Sequence, residues 1–300
     1  MERKPAYLKI TSHELKRRSS LAGKMLESCV LCPRNCKVNR IKGQKGWCQA
    51  PAAAVVANYF PHFGEEPQLV GDNGSGTIFF SHCNLHCVYC QNWEISQLGH
   101  GKIVSAGRLA DIMLYLQSKN CHNINLVTPT HNIPFILEAL VLAVDRGLSL
   151  PLVYNSGGYE SLSSLQLLSS IIDIYLPDFK YWSAKAAEQF SGAVDYPEHA
   201  REAIKKMFKQ VGNLVVDDNG VALSGLIVRH LLLPEDLAGT REVIGFIAKE
   251  ISRHCAINIM DQYRPAYRAC DYPQLQKSPN IQDLPAAKKM AADKGLRLIK

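Results

Sequence analysis

TIFFSHCNLHCVYCQN, residues 77 to 92, runs from an apolar stretch straight into a loop holding Cys83, Cys87 and Cys90. Three thiols this close are too many for one disulfide and one short of an all-cysteine zinc site. Zinc completed by His82 or His86 is one reading, although structural zinc sites usually join ligand pairs from two separate knuckles. Reactive or simply buried thiols have no need of such clustering. A 4Fe–4S cluster fits better, because three thiolates satisfy three of its irons and leave one open coordination position. An incomplete ligand set is the usual mark of a metal site that binds substrate.

Outward from this loop, short apolar runs alternate with amphipathic segments. The runs are TIFFS, INLVT (124 to 128), LPLVYN (150 to 155), IIDIYLPD (171 to 178), GLIVRHLLL (225 to 233) and AINIM (256 to 260). Helical patterns separate them, including RLADIMLYLQS behind Ser105 as an N-cap, NIPFILEALVLAVDRG, LSSLQLLSSI, EHAREAIKKMFKQVG and TREVIGFIAKEISRH. Continuous, branched strands imply burial on both faces, as in a parallel sheet covered by helices. The pattern predicts an α/β fold, a partial (β/α)6 TIM-like barrel rather than a doubly wound sheet. Chemistry in such a barrel sits at the C-terminal ends of the strands, where the cysteine loop begins. The tail LPAAKKMAADKGLRLIK reads as a last surface helix.

At 300 residues the chain suffices for one large α/β domain, here residues 71–300, preceded by a cysteine-rich segment and connecting stretch over 1–70. The N-terminus lacks an unbroken apolar core of a signal peptide, and the most apolar stretch, residues 133 to 144, is too short for a bilayer and contains Glu138. A soluble, cytoplasmic protein with no membrane partner is expected. There, ten cysteines imply metal or cluster binding rather than disulfides. The net charge of +7 is concentrated near the N-terminus, as a solvated basic face or a surface for nucleic acid or an acidic protein.

A second group, Cys29, Cys32, Cys36 and Cys48, is spaced C-x2-C-x3-C-x11-C within CVLCPRNCKVNRIKGQKGWC. Four ligands in one short segment close a tetrahedral thiolate site, and Pro33, Gly43 and Gly46 supply its turns. Spacing alone leaves structural zinc and an auxiliary iron–sulfur cluster both open. Cys121, Cys255 and Cys270 lie apart, with core packing as their expected use.

The C-x3-C-x-φ-C loop, with Tyr89 before its last cysteine, resembles the signature of the radical S-adenosylmethionine (radical SAM) superfamily. CNLHCVYCQNWEIS, VYNSGGY (153 to 159), DIYLPDFK (173 to 180), IVRHLLLPE (227 to 235) and NIMDQYRPAYR (258 to 268) are similar to segments of the pyruvate formate-lyase activating enzymes and their uncharacterised relatives. The resemblance implies that Cys83, Cys87 and Cys90 hold a catalytic 4Fe–4S cluster whose open iron chelates S-adenosylmethionine. Reductive cleavage would yield a 5′-deoxyadenosyl radical for hydrogen abstraction, in an oxidoreductase that activates a glycyl-radical-type protein. It further implies methionine contacts near Thr130 and Lys180, ribose and adenine near Tyr89, Asn155 and Gln262, further cofactor-binding residues in Asp178 and Arg229, and an electron donor such as flavodoxin or ferredoxin. One departure stands out: where many members carry a GGE-type motif after the second strand, this chain reads TPTH, Thr128 to His131.

Bland readings stand beside these. Lys180 pairs equally well with Asp178 on a surface loop, Asn155 with a turn before Gly157, and His131 and His230 with loop capping. Arg229, inside an apolar strand, requires a charged or polar partner. The rival functions are modification of RNA or a small molecule by the same chemistry, and a non-catalytic electron-transfer or redox-sensing protein.

Overall fold

The computed structural model describes residues 4–299. Its strands are β1 (Ala54–His62), β2 (Ser75–Phe80), β3 (Lys102–Val104), β4 (Ile124–Val127), β5 (Leu152–Ser156), β6 (Ile174–Pro177), β7 (Val215–Val216), β8 (Ala222–Leu231), β9 (Ala256–Met260) and β10 (Arg297–Leu298). They form one sheet in the order β10-β9-β8-β6-β5-β4-β2-β1-β3, with β7 paired to β8. The six apolar runs are β2, β4, β5, β6, β8 and β9, all parallel and neighbouring in chain order. The sheet is open: β3 ends one edge and β10 the other.

The connecting stretch expected before residue 71 contains β1, which pairs antiparallel with both β2 and β3. A register shift between Val56 and Asn58, together with Pro61, interrupts its alternation, so no strand pattern shows in the sequence. The tail holds the expected helix, Asp283–Asp293, but ends in β10, which extends the sheet beyond β9. Ser105 caps its helix as expected, its hydroxyl accepting from the Arg108 N–H. Among the described residues no helix is long and apolar enough to cross a membrane.

The parallel strands bury two different faces. Leu152, Tyr154, Tyr175, Leu226, Val228, Ile257 and Ile259 join the large core beneath the helices. The alternate positions, Val153, Ile174, Leu176, Ile227 and Ala256, form a smaller inner core capped by Leu69 from the short helix Pro67–Val70. Two residues further along the same strands, that inner face becomes polar: Asn155, Asp178, Arg229 and Asn258. The apolar layer thus acts as a floor beneath a polar one at the C-terminal ends of the strands. Gly225 permits this packing at the start of β8. It sits at φ +123°, and a Cβ there would come within 2.5 Å of the Asn213 carbonyl oxygen.

Candidate metal and cofactor site

The loop after β2 is tied down on every side. Asn84 Nδ2 donates to the Tyr159 carbonyl (2.6 Å), Val88 N–H to the Phe190 carbonyl (2.9 Å), and Arg268 N–H to the Val88 carbonyl (2.8 Å). Gln91 Nε2 reaches the carbonyl of Gln262 at 3.1 Å, joining the loop to the segment after β9. Each of the three sulfurs meets a hydrogen-bonding group: Leu85 N–H at Cys83 (3.3 Å), Ser191 Oγ at Cys87 (3.0 Å) and Ser96 Oγ at Cys90 (3.2 Å). Such contacts suit thiolates and tune the potential of a cluster bound to them. Burial, then the neighbouring Cys87, pushes the Cys83 and Cys90 thiols up. They stay protonated until a cation sits among them, which is the chemistry of a metal-binding group. The donor set therefore fits an iron–sulfur core.

Next to this loop lies the polar layer. Asp178 accepts from Arg229 Nε at 2.8 Å and from Lys180 Nζ at 2.7 Å. Arg229 Nη2 donates to Asn155 Oδ1 at 2.6 Å, and its Nη1 lies 3.5 Å from Glu65 Oε2. Asn155 Nδ2 donates to Glu65 Oε1 at 3.3 Å, and Asn258 Nδ2 to Glu66 Oε1 at 3.1 Å. Burial would raise the Asp178 carboxyl, but Arg229 and Lys180 outweigh it and hold it below the usual carboxylate range. Burial likewise opposes the charge on Lys180, and Asp178 followed by Cys87 more than restores it. Glu65 is raised, chiefly by burial and against the pull of Arg229. Glu65, Glu66, Arg229, Asn258, Asp261 and Gln262 line one cleft of about 300 Å³.

The remaining expected residues differ in setting. Gln262 is exposed at this cleft. Tyr89 is 5 % exposed and packed edge-on by Tyr181 and Tyr263, at 6.3 and 5.7 Å between ring centroids, so its ring is a wall of the loop rather than an open platform. Thr130 is also buried, with its hydroxyl donating to Glu160 Oε1 at 2.7 Å. His131 and His230 are core residues: His131 Nε2 lies 2.8 Å from the Ser81 carbonyl, and His230 Nδ1 2.7 Å from that of Phe179. Burial holds His131 neutral, down at about 3. Cys121 and Cys255 are buried, whereas Cys270 is exposed.

Glu160, Glu65, Glu66 and Ser191 were not among the expected residues. Glu160 is buried beneath Thr130 and Tyr154, whose hydroxyl donates to Oε2 at 2.8 Å, and burial raises its carboxyl to about 7. A raised acid binds its proton more tightly in the folded state, so this contribution to stability falls as pH rises from about 4.5 towards 7. That interval corresponds to a loss of about 3 kcal/mol. Urea titrations of the wild type and Glu160→Gln at pH 5 and pH 8 are expected to show a smaller decline for the variant; equal slopes would disprove the role of Glu160.

The N-terminal cysteines fold together as well. Cys29, Cys32, Cys36 and Cys48 line one small cavity with Arg34, Arg40, Gly46 and His131. Backbone N–H groups of Arg34, Trp47 and Ala50 point at the sulfurs of Cys32, Cys36 and Cys48. A Cβ on Gly46 would lie 2.8 Å from Cys36 Sγ, so glycine is required there.

Residues 71–195 match the model of the 4Fe–4S single cluster domain family. The chain is 31 % identical over 289 residues to the uncharacterized protein MJ0674 of Methanocaldococcus jannaschii, covering 93 % of this chain and 78 % of that protein. It is 23 % identical over 293 residues to the uncharacterized protein MJ0808 of the same organism, covering 90 % and 79 %. Among solved structures, a radical SAM methyltransferase from Sphaerobacter thermophilus matches with a TM-score of 0.52 at 12 % identity, over 74 % of this chain and 64 % of that one. Streptococcus suis SuiB bound to precursor peptide SuiA matches with a TM-score of 0.50 at 10 % identity, over 73 % and 47 %. The chain spans about half to two thirds of these solved structures, and what it shares with them is the fold. By its relatives the chain belongs to the family of MJ0674, and it shares its fold with the radical SAM methyltransferase from Sphaerobacter thermophilus.

Proposed function

We propose that the protein is a radical SAM enzyme that cleaves S-adenosylmethionine reductively and abstracts hydrogen from a substrate at the strand ends. The observation that carries this reading is a loop with three thiols, each with a hydrogen-bonding partner at its sulfur, beside a half-buried Asp178–Lys180–Arg229 network. When bound, the cluster supplies the electron and the open iron for the methionine amino and carboxylate groups. In this reading Lys180 meets that carboxylate, and Asp178 keeps its ammonium charged. In this reading Asn155 and Gln262 meet the ribose and adenine, with Tyr89 and Thr130 in the wall behind them. The packed aromatic and apolar surroundings exclude water and stray hydrogen donors.

The resemblance favours a protein substrate of glycyl-radical type, reduction by flavodoxin or ferredoxin, and an oxidoreductase of the activating-enzyme kind. The four N-terminal thiols hold a second metal centre in this reading. After anaerobic reconstitution with iron and sulfide, dithionite and S-adenosylmethionine are expected to yield 5′-deoxyadenosine on chromatography. A reconstituted cluster that produces none, and whose paramagnetic resonance is unmoved by S-adenosylmethionine, would instead support an electron carrier.

A further inference from the structure

The N-terminal cysteine segment is packed directly on the cluster loop. Arg34, between Cys32 and Cys36, donates through Nε to the Asn84 carbonyl at 3.0 Å and through Nη2 to the Ser191 carbonyl at 3.0 Å, the residue whose hydroxyl meets Cys87. Trp47 stacks against His86, with ring centroids 5.2 Å apart, and the guanidinium of Arg34 lies 4.0 Å from the Trp47 ring centroid. Trp47 is the neighbour of Cys48 in the chain, and His86 is the neighbour of Cys87. The two cysteine groups are therefore joined by packed side chains.

Arg40 supplies a second, independent observation. It is 2 % exposed, lines the four-thiol cavity and donates to the carbonyls of Pro51 and His131. Among the described residues no carboxylate forms a salt bridge with it. A buried guanidinium held only by carbonyls calls for an anion close by. Four thiolates around a metal core provide one, since their charge exceeds that of the core.

Outside the cavity the charge is one-sided. Residues 28 to 64 contain Arg34, Lys37, Arg40, Lys42 and Lys45 and no Asp or Glu. Lys37, Lys42 and Lys45 are exposed around the cysteines, with Ile41 and Trp47 also open at 59 % and 40 %. Positive charge around an apolar centre complements an acidic protein surface and speeds its encounter.

We infer that Cys29, Cys32, Cys36 and Cys48 hold a second iron–sulfur cluster, which receives one electron from an acidic carrier protein and passes it across the Trp47–His86 contact to the cluster at Cys83, Cys87 and Cys90. No bond is made or broken: the carrier is oxidised by one electron and the Cys83 cluster reduced by one. The acceptor role rests on the reading of that loop as a cluster site; the metal content of the N-terminal site does not.

Metal analysis of the full chain bearing Cys83→Ala, Cys87→Ala and Cys90→Ala isolates the second site. About four irons and four sulfides should remain, with a paramagnetic signal after reduction; zinc, or no metal, overturns the proposal. Should that variant not fold, Cys32→Ala with Cys36→Ala in the otherwise native chain should lose about half the iron, and no loss overturns it equally. Arg40→Met should shift the potential of the second signal to more negative values, because reduction adds negative charge beside a lost cation, and Arg40→Lys should recover it. In the Cys32→Ala, Cys36→Ala variant, reduction of the remaining cluster by reduced flavodoxin should slow while reduction by dithionite is unchanged, read as loss of cluster absorbance. An unchanged flavodoxin rate overturns the relay, and co-purified RNA that blocks flavodoxin overturns the choice of partner. Loss of all cluster absorbance from Cys83, Cys87 and Cys90 in the native chain would instead defeat the proposed function and leave the second site standing.

Discussion

Cys87→Ala is expected to leave the chain folded, remove the cluster at the β2 loop and bring 5′-deoxyadenosine formation down to background. Cys87 lies between Cys83 and Cys90 in sequence, is 8 % exposed, and its sulfur receives the Ser191 hydroxyl at 3.0 Å. Alanine there leaves two thiolates for four irons. The fall should exceed the roughly 10- to 100-fold that loss of an outer partner costs a metal site. Ser191→Ala is the matched control: it removes the hydrogen bond to sulfur but no ligand, so iron content should hold while the cluster potential moves negative. Iron and sulfide analysis with chromatography of the nucleoside reads both. Undiminished 5′-deoxyadenosine from Cys87→Ala would defeat the assignment of the loop.

The local stability of the loop explains why this substitution tests chemistry rather than folding. Its backbone is anchored through Asn84, Val88 and the Arg268 N–H, none of which passes through the Cys87 side chain. A lost thiol leaves a small defect at the edge of the core, of the kind that costs about 1 kcal/mol.

The order of the parallel strands was legible in the sequence because strands buried on both faces read as continuous apolar runs. Each of the six runs became a parallel strand, and the cysteine loop followed the first of them. Continuity also hides information. A run such as GLIVRHLLL does not say which of its residues face inwards, so the division into Ile227 and Arg229 on one side and Leu226 and Val228 on the other emerged only from the packing. Curvature is equally invisible in the sequence, and the sheet that forms is open at both edges. Glu65 and Glu66 escaped notice because they sit in an irregular turn before Pro67, with no periodicity to orient them. Their meaning depends on Arg229 and Asn258, 164 and 192 residues away in the chain. The one available signal was compositional: they are the first acids after Glu27. Glu160 gave none, since only the fold puts Thr130 and Tyr154 on its two oxygens. Tyr89 and Thr130 were named as contacts from motif position, whereas burial sets them into the wall.

Asp178→Ala is expected to destabilise the protein by about 3 kcal/mol, and the partner left behind decides how that cost can be recovered. Asp178 holds Lys180 at 2.7 Å and Arg229 at 2.8 Å, with the three side chains between 17 % and 20 % exposed. This partial exposure places the effect at the low end of the range for a broken buried pair. The two cations are not equally dependent on Asp178. Arg229 retains Asn155 at 2.6 Å and Glu65 at 3.5 Å, whereas the ammonium of Lys180 has Asp178 as its hydrogen-bonded carboxylate. Removal of Asp178 therefore orphans Lys180 first. Adding Lys180→Met to Asp178→Ala should recover part of the lost stability, while adding Arg229→Met should lower it further by leaving Glu65 without its cation. Urea unfolding of the single and double variants measures both couplings. The function should separate from the stability: the Asp178→Ala, Lys180→Met protein should fold better than Asp178→Ala yet bind S-adenosylmethionine more weakly, because the ammonium proposed to meet the methionine carboxylate is gone. Equal affinity in the two proteins would free Lys180 from that role and leave it an ion-pair partner alone.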